Sequence, residues 1–318
     1  MAKLPRILLA LALLASPAMA QASTSVVVPF PPGGASDVLG RAVADAMARV
    51  SGQPFVVENV SGAGGTIGTN RVAHARNDGS ILLFGNIGVA TAPSLYRNLP
   101  FDAQRDLEPV GLVAPMPMVL LGRPDLPAGN LAELIDWLRA PGRQATIAHS
   151  GVGSASHLCA LLLRSLTRAP ITTVGYRGTA PAMADVFSGR VDMVCDQTSA
   201  GAPLVRENRV RGLAITSEAR SPTMPAVPTT AESGLPDLVL AVWHGIYAAR
   251  GTPAPVVERL AQTLREALAE PSVIARIESL GGSVEPAARI SPAAHRAFLS
   301  AEIARWRPII QANGKFAN

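Results

Sequence analysis

Three glycine- and serine-rich loops hold the residues best placed to do chemistry: Phe30-Pro-Pro-Gly-Gly-Ala-Ser-Asp37, Gly62-Ala-Gly-Gly-Thr-Ile-Gly68 and Gly151-Val-Gly-Ser-Ala-Ser-His157. Each runs into a segment with helical apolar spacing, so each ends where a helix should begin. The first turn of a helix has unpaired N–H groups and about half a positive charge, and it binds anions without a basic side chain. Glycine lets backbone approach a ligand closely. Ser36, expected to cap the first helix, and Ser154 and Ser156 add hydroxyl donors. Taken singly, each loop is equally explained by ordinary turn chemistry. Three at equivalent points of the chain favour an anion cleft.

Other reactive residues are sparse. Asp37 falls in a first helical turn, where a carboxylate is stabilising by itself by about 0.3–1 kcal/mol; it could also orient its loop or meet a ligand ammonium. Asp196 ends a strand and could pair with an arginine or a ligand amine. His157 reads as a support for its loop rather than a direct contact. Ser154 and His157 are the only candidates for an activated nucleophile, and their spacing at a helix start suits capping better. The five histidines form no metal-binding spacing. There is no G-x-S-x-G elbow and no G-x-x-x-x-G-K-[ST]. Ile67 stands where the second loop would need glycine to match a dinucleotide fingerprint. Cys159 and Cys195 are the whole cysteine inventory. A disulfide and a pair of buried thiols are both compatible with their apolar surroundings.

The elements that would position these loops alternate. Ser25–Phe30 is β-rich, and Val38, Leu39, Ala42, Val43, Ala46, Met47 and Val50 mark an amphipathic helix that Gly52 ends. Strands follow at 55–58 and 81–84, with a helix over about 66–75 between them. The series restarts after an apolar stretch, Val110 to Leu121, interrupted by Pro115 and Pro117. It gives a helix at 131–139 and strands at 145–148, 171–174, 191–195 and 213–216, with helices over about 157–166 and 180–188. Val239 to Ala249 reads as a returning strand. Polar-faced helices over about 255–269 and 292–312 close the chain, and Trp243 and Trp306 read as core or hinge packing. Strand–loop–helix repeats with short connections indicate parallel sheets. The expected architecture is two Rossmann-like α/β domains with a hinge and a cleft at the carboxyl ends of their strands. Domain I is expected over 21–122 and 242–318, domain II over 123–241.

Composition excludes several classes. The chain has 318 residues, 48% hydrophobic and 16% charged, which rules out disorder. The longest apolar run, Ile7 to Ala15, is too short to span a bilayer. With Lys3 and Arg6 before it and Ala18-Met-Ala20 after it, residues 1–20 read as a secretory leader. No cysteine precedes Cys159, so no lipid anchor is expected at the cleavage point. The net charge of +5 falls by two when the leader is removed. The arginines are scattered and aromatics are 4%, which argues against a nucleic-acid partner.

Taken together, the motifs resemble one family. Val28–Asp37, Glu58–Gly68, Pro93-Ser-Leu-Tyr96, Gly151–His157, Tyr176-Arg-Gly-Thr-Ala-Pro-Ala182, Gly189–Asp196, Ala214-Ile-Thr-Ser217, Arg220-Ser-Pro222 and Pro225–Thr229 occur in the order found in the Bug-type extracytoplasmic solute receptors. These are the solute-binding proteins of tripartite tricarboxylate transporters. The resemblance implies a periplasmic-binding-protein fold without catalysis or cofactor, holding a small carboxylate mainly through backbone N–H groups, hydroxyls and water. Phe30, Gly33, Gly34, Ser36 and Asp37, with Gly64, Gly65 and Asn86, are expected on the first-domain side. Ser154, Ala155, Ser156 and His157 are expected on the second, with Tyr176 and Asp196 near the floor.

Val89 stands where relatives often have threonine, leaving open whether Thr91 supplies the missing hydroxyl. Gly175 and Gln197 also depart from common residues. The expected ligand is a dicarboxylate, tricarboxylate, acidic amino acid or aromatic acid. The expected partners are membrane permease subunits or a sensor protein, with the receptor a periplasmic monomer. The rival from another class is an exported hydrolase using Ser154 and His157.

Overall fold

The computed structural model describes residues 23–176 and 178–312. The expected leader lies outside them. The chain opens with β1 (Thr24–Val28), α1 (Ala35–Ser51), β2 (Phe55–Asn59), α2 (Thr66–Ala73), β3 (Ile81–Asn86) and α3 (Gly88–Leu95). β1 lies between β2 and β3 and is parallel to both. Val26, Val27 and Val28 are buried, as expected of a strand covered on both faces. α1 buries Leu39, Val43, Ala46 and Met47. It stops at Gly52, whose positive φ of 69° lets its N–H turn back to the Ala48 carbonyl.

β4 (Leu107–Gly122) follows, then α4 (Leu131–Arg139), β5 (Ala145–His149), α5 (Ala155–Thr167), β6 (Ile171–Gly175), α6 (Thr179–Phe187), β7 (Met193–Gln197), α7 (Thr198–Arg206) and β8 (Arg211–Ile215). β5 is parallel to β6 and β7, repeating the arrangement of the first half. β9 (Ala241–Ala249), α8 (Ala254–Leu268), α9 (Pro271–Ser279) and α10 (Pro292–Ala312) complete the chain. α8 packs on α1, and α10 on α3 and β4.

The strands form one continuous path, β2-β1-β3-β9-β4-β7-β5-β6, with β8 also on β4. β4 joins the halves. From Leu107 to Pro117 it pairs with β9, and from Met118 to Gly122 with β7 and β8. The change of partner falls between Pro117 and Met118, and the chain returns to the first half at Ala241. Pro115 and Pro117 do not break the strand. Over that stretch β4 has a strand on the β9 side alone, so a missing N–H is tolerated at the other edge. α3, α7 and α9 have no counterpart in the sequence reading. Pro93 sits inside α3, and Gly201 and Pro203 inside α7, and such residues mask helical propensity.

Two buried contacts tie the frame together. Glu302 of α10 accepts hydrogen bonds from the indole N–H groups of Trp243 on β9, at 3.0 Å, and Trp306, at 3.1 Å. Both tryptophans are buried, which gives them their packing role beside the crossing strands. Cys159 of α5 and Cys195 of β7 form a disulfide, resolving the alternative that composition left open. It closes a loop of 36 residues. Replacing both by alanine should lower stability in urea unfolding by about 2–4 kcal/mol. An unchanged midpoint would show that the crosslink contributes nothing.

Candidate functional site

Within each half the parallel strands place their carboxyl ends on one side, and the helices that follow begin there. β3 and β4 are each antiparallel to β9, and β7 is antiparallel to β4, so the halves run in opposite senses and their carboxyl edges face each other. A cleft of about 890 Å³ opens between those edges. The N-cap residues of six helices line it: Gly34 of α1, Gly65 of α2, Ile87 of α3, Ser154 of α5, Gly178 of α6 and Gln197 of α7. Among the described residues the lining includes no lysine, arginine or histidine, and Asp196 is the one charged residue. The positive character of the cleft therefore resides in backbone N–H groups and helix dipoles. A helix N-terminus binds carboxylate or phosphate well, and neutral ligands gain little from it.

In the first loop, Phe30, Gly34 and Ser36 face the cleft, whereas Gly33 and Asp37 lie behind it. Gly33 has a φ of 81° and donates its N–H to Asp37 Oδ2 at 2.8 Å. Asp37 also accepts from Arg41 Nε at 3.1 Å and Asn59 Nδ2 at 2.8 Å, and Asn59 Nδ2 reaches the Phe30 carbonyl at 3.0 Å. Asp37 is thus the buried brace of the loop, with its oxygens already committed. Burial alone would raise its carboxyl, but the hydrogen bonds from Arg41, Gly33 and Asn59 outweigh that and hold it below the usual carboxylate range. Ser36 does not cap α1, because the helix starts one residue earlier, after Gly34. Its hydroxyl lies 2.9 Å from Nε2 of His244 on β9. Burial pushes His244 down to about 4, so the imidazole is neutral at pH 7.

The second loop runs through positive φ at Gly62, Ala63, Gly64 and Gly65. Tyr96 donates its hydroxyl to the Ala63 carbonyl at 2.7 Å. A Cβ on Gly64 would come within 2.8 Å of that hydroxyl oxygen and 3.7 Å of the Val152 carbonyl from the opposite half. Only glycine fits there, and the two rims of the cleft nearly touch. Asn86 lines the cleft with Oδ1 committed to the Gly88 N–H at 2.9 Å. Thr91 is buried and bonds its own helix backbone at Ile87 and Gly88. It does not supply the hydroxyl that Val89 lacks.

In the third loop Ser154, Ala155 and Ser156 line the cleft. Ser154 Oγ caps α5 by accepting the His157 backbone N–H at 3.2 Å, and donates to the Gly151 carbonyl at 2.7 Å. Ser156 Oγ lies 3.0 Å from Ser154 Oγ and accepts the Ser150 N–H at 2.9 Å. Behind them, His149 and His157 stack at 4.5 Å. Their Nδ1 atoms accept the N–H groups of Gly151 and Gly153, both at 3.3 Å. Burial, then the charges of His149 and Arg164, push His157 down to about 3. A neutral ring bonded to the loop backbone, with the Ser154 proton already given to a carbonyl, is not the geometry of an activated nucleophile.

Tyr176 is not among the lining residues. Its hydroxyl donates to Asp185 Oδ2 of α6 at 2.6 Å, which draws the ring away from the floor, and this bond raises its pKa. Asp196 does line the cleft. Its Oδ1 accepts the Gln197 N–H at 2.8 Å, its Oδ2 is shielded without a partner, and burial pushes the carboxyl up to about 6. Sequence reasoning missed Ser61, Ser150, Thr179 and Gln197 as lining residues. Gly178, with a φ of 110°, was the available signal for the α6 start.

Asp37 generates a pH-dependent expectation. Its lowered folded-state value means that its contribution is full above the unfolded value of about 4 and is lost as pH falls through the folded value. Asp37→Asn removes the charge and sets an amide N–H₂ against the donors on one of the two carboxylate oxygens, and should cost about 1–3 kcal/mol at pH 7. Urea unfolding should show the gap closing in acid. An equal gap at pH 7 and pH 3 would contradict this.

Comparison with known proteins places the cleft in context. The model of the tripartite tricarboxylate transporter family receptor matches residues 39–315. The solved structure of the periplasmic binding protein BugD is 38% identical with a TM-score of 0.81, covering 93% of this chain and 99% of that one. MatC from Rhodopseudomonas palustris, solved with bound malate, is 36% identical with a TM-score of 0.80, covering 91% and 98%. Another R. palustris protein, solved with adipate, is 33% identical with a TM-score of 0.81, covering 93% and 98%. Matches of this extent agree with the crossing-strand sheet and the ring of helix starts, and the chain belongs to the Bug-type receptor family of tripartite tricarboxylate transporters.

Proposed function

We propose that the protein captures a small organic carboxylate in the periplasm and delivers it to the membrane permease subunits of a tripartite tricarboxylate transporter. The observation that carries this is the convergence of six helix N-caps on a cleft that, among the described residues, has no cationic lining residue. Such a site stabilises a carboxylate through several neutral donors at once. The malate and adipate complexes of the two R. palustris relatives support the same ligand class. Di- and tricarboxylates, acidic amino acids and aromatic acids all fit this chemistry. No catalytic step is assigned.

The capture mechanism follows from the two crossings. The chain passes between the halves twice, within β4, which pairs with strands of both, and just ahead of β9, so domain I, over 21–122 and 242–318, and domain II, over 123–241, rotate about these two crossings. Phe30, Gly34, Ser36, Gly64, Gly65 and Asn86 present one jaw, and Ser154, Ala155 and Ser156 the other. Gly33, Asp37 and His157 hold the loops from behind. A ligand bonded to both jaws binds the closed form best and shifts the population toward it.

A ligand bound at about 1 μM should add roughly 4 kcal/mol of stability at 1 mM and raise Tm by several degrees. A carboxylate panel in thermal unfolding checks this, with X-ray scattering reporting a smaller radius of gyration for the liganded form. NAD, ATP, sugars and neutral amides should give no shift. A response to sugars and none to carboxylates would overturn the proposal.

A further inference from the structure

Asp196 is the anomaly of the cleft. It is the penultimate residue of β7, just before α7, and among the described lining residues it is the one charged side chain beside helix starts, hydroxyls, two amides and apolar groups. Its Oδ1 is satisfied by the Gln197 N–H at 2.8 Å. Its Oδ2 is shielded from water and has no hydrogen-bond partner. β4 sets Val119 across from it. The titratable groups of the packed helices are engaged elsewhere: His157 of α5 with the Gly153 N–H, and Asp185 of α6 with Tyr176 and Arg190. Burial and the Gln197 N–H are the influences on its charge. With its carboxyl at about 6, Asp196 is still mostly ionised at pH 7.

A shielded carboxylate oxygen without a donor is costly. The helix starts around it have N–H groups to give, but they suit the ligand's own carboxylate. The group missing from this corner is a donor carried by the ligand. We infer that Asp196 is the specificity-determining acceptor of the cleft: its Oδ2 takes a hydrogen bond from a hydroxyl or ammonium group on the ligand, so hydroxy- and amino-carboxylates are selected over unsubstituted ones. This rests on the reading of the cleft as a carboxylate site. A ligand with the donor satisfies Oδ2, whereas a plain dicarboxylate leaves it unpaired and brings a second anion beside it. A site built to bond such a group rejects the analogue that lacks it.

Calorimetric titration of ligand-stripped protein at pH 7 tests this with matched sets: succinate, malate and aspartate, then glutarate, 2-hydroxyglutarate and glutamate. In at least one set the hydroxy or amino member should bind roughly 10- to 100-fold tighter than the plain acid. Asp196→Ala should bring the members of that set within about threefold, without weakening the plain acid. In the wild type, lowering the pH to 5 protonates the acceptor and should shrink the preference, a readout that does not depend on the variant folding. Equal affinity within every set overturns the inference, as does a preference that survives Asp196→Ala. Tighter binding of the plain acids alone at pH 5 also overturns it, because Asp196 would then be lending a proton to the ligand. Absence of binding by every carboxylate would instead overturn the carboxylate reading, and this inference with it.

Discussion

The N–H groups in the first turn of a helix have no carbonyl behind them to bond. One such turn is a weak site. Here strand direction collects six, because β1, β2 and β3 end at one edge of the first half, β5, β6 and β7 run the opposite way and end at the facing edge of the second, and a helix begins after each. The two edges must face each other for the N-caps of both halves to line one cavity, and β4, which pairs with β9 in one half and with β7 and β8 in the other, makes them do so. The absence of cationic side chains among the described lining residues then has a physical meaning. Charge is supplied by fixed backbone dipoles, which need no reorganisation when an anion arrives.

Loops that present bare N–H groups must be held from behind. Asp37 ties Gly33, Arg41 and Asn59 under the first loop. His149 and His157 accept the N–H groups of Gly151 and Gly153 under the third. His244 braces Ser36 from β9. Burial depresses these three imidazoles, so they act as neutral hydrogen-bonding groups and add no charge beside a bound anion. The disulfide fixes α5, whose N-cap is Ser154 and whose first turn carries Ser156, to β7, whose C-terminal end carries Asp196. The cleft-facing surface of these loops is therefore a thin layer of glycine and serine over a polar support.

Much of this was legible in the sequence. Glycine marks the three loops, apolar runs mark the central strands, and the motif order identifies the family. The long strand β4 was less so, since Pro115 and Pro117 argue against a strand unless one of its edges is known to be unpaired. α3 and α7 were hidden by proline and glycine within short helices. Within the loops, sequence adjacency did not reveal direction. Gly33 and Gly34 are neighbours, yet one points its N–H at Asp37 and the other faces the cleft. Tyr176 was misplaced for a related reason, because its hydroxyl partner, Asp185, lies nine positions on and one helix turn away from any local pattern. Ser61 and Thr179 lie inside quoted motifs and Ser150 just ahead of one, but nothing in the spacing told which of their residues turn toward the cleft.

The central claim is that neutral helix N-termini, rather than cationic side chains, hold the ligand. A crystal structure of the mature protein with a bound carboxylate tests it most directly. The account predicts carboxylate oxygens within 2.7–3.1 Å of backbone N–H groups at the starts of α1 and α5, directly or through one water, with no arginine or lysine in ion-pair range. A ligand gripped by an arginine side chain, or seated away from the helix starts, would contradict it.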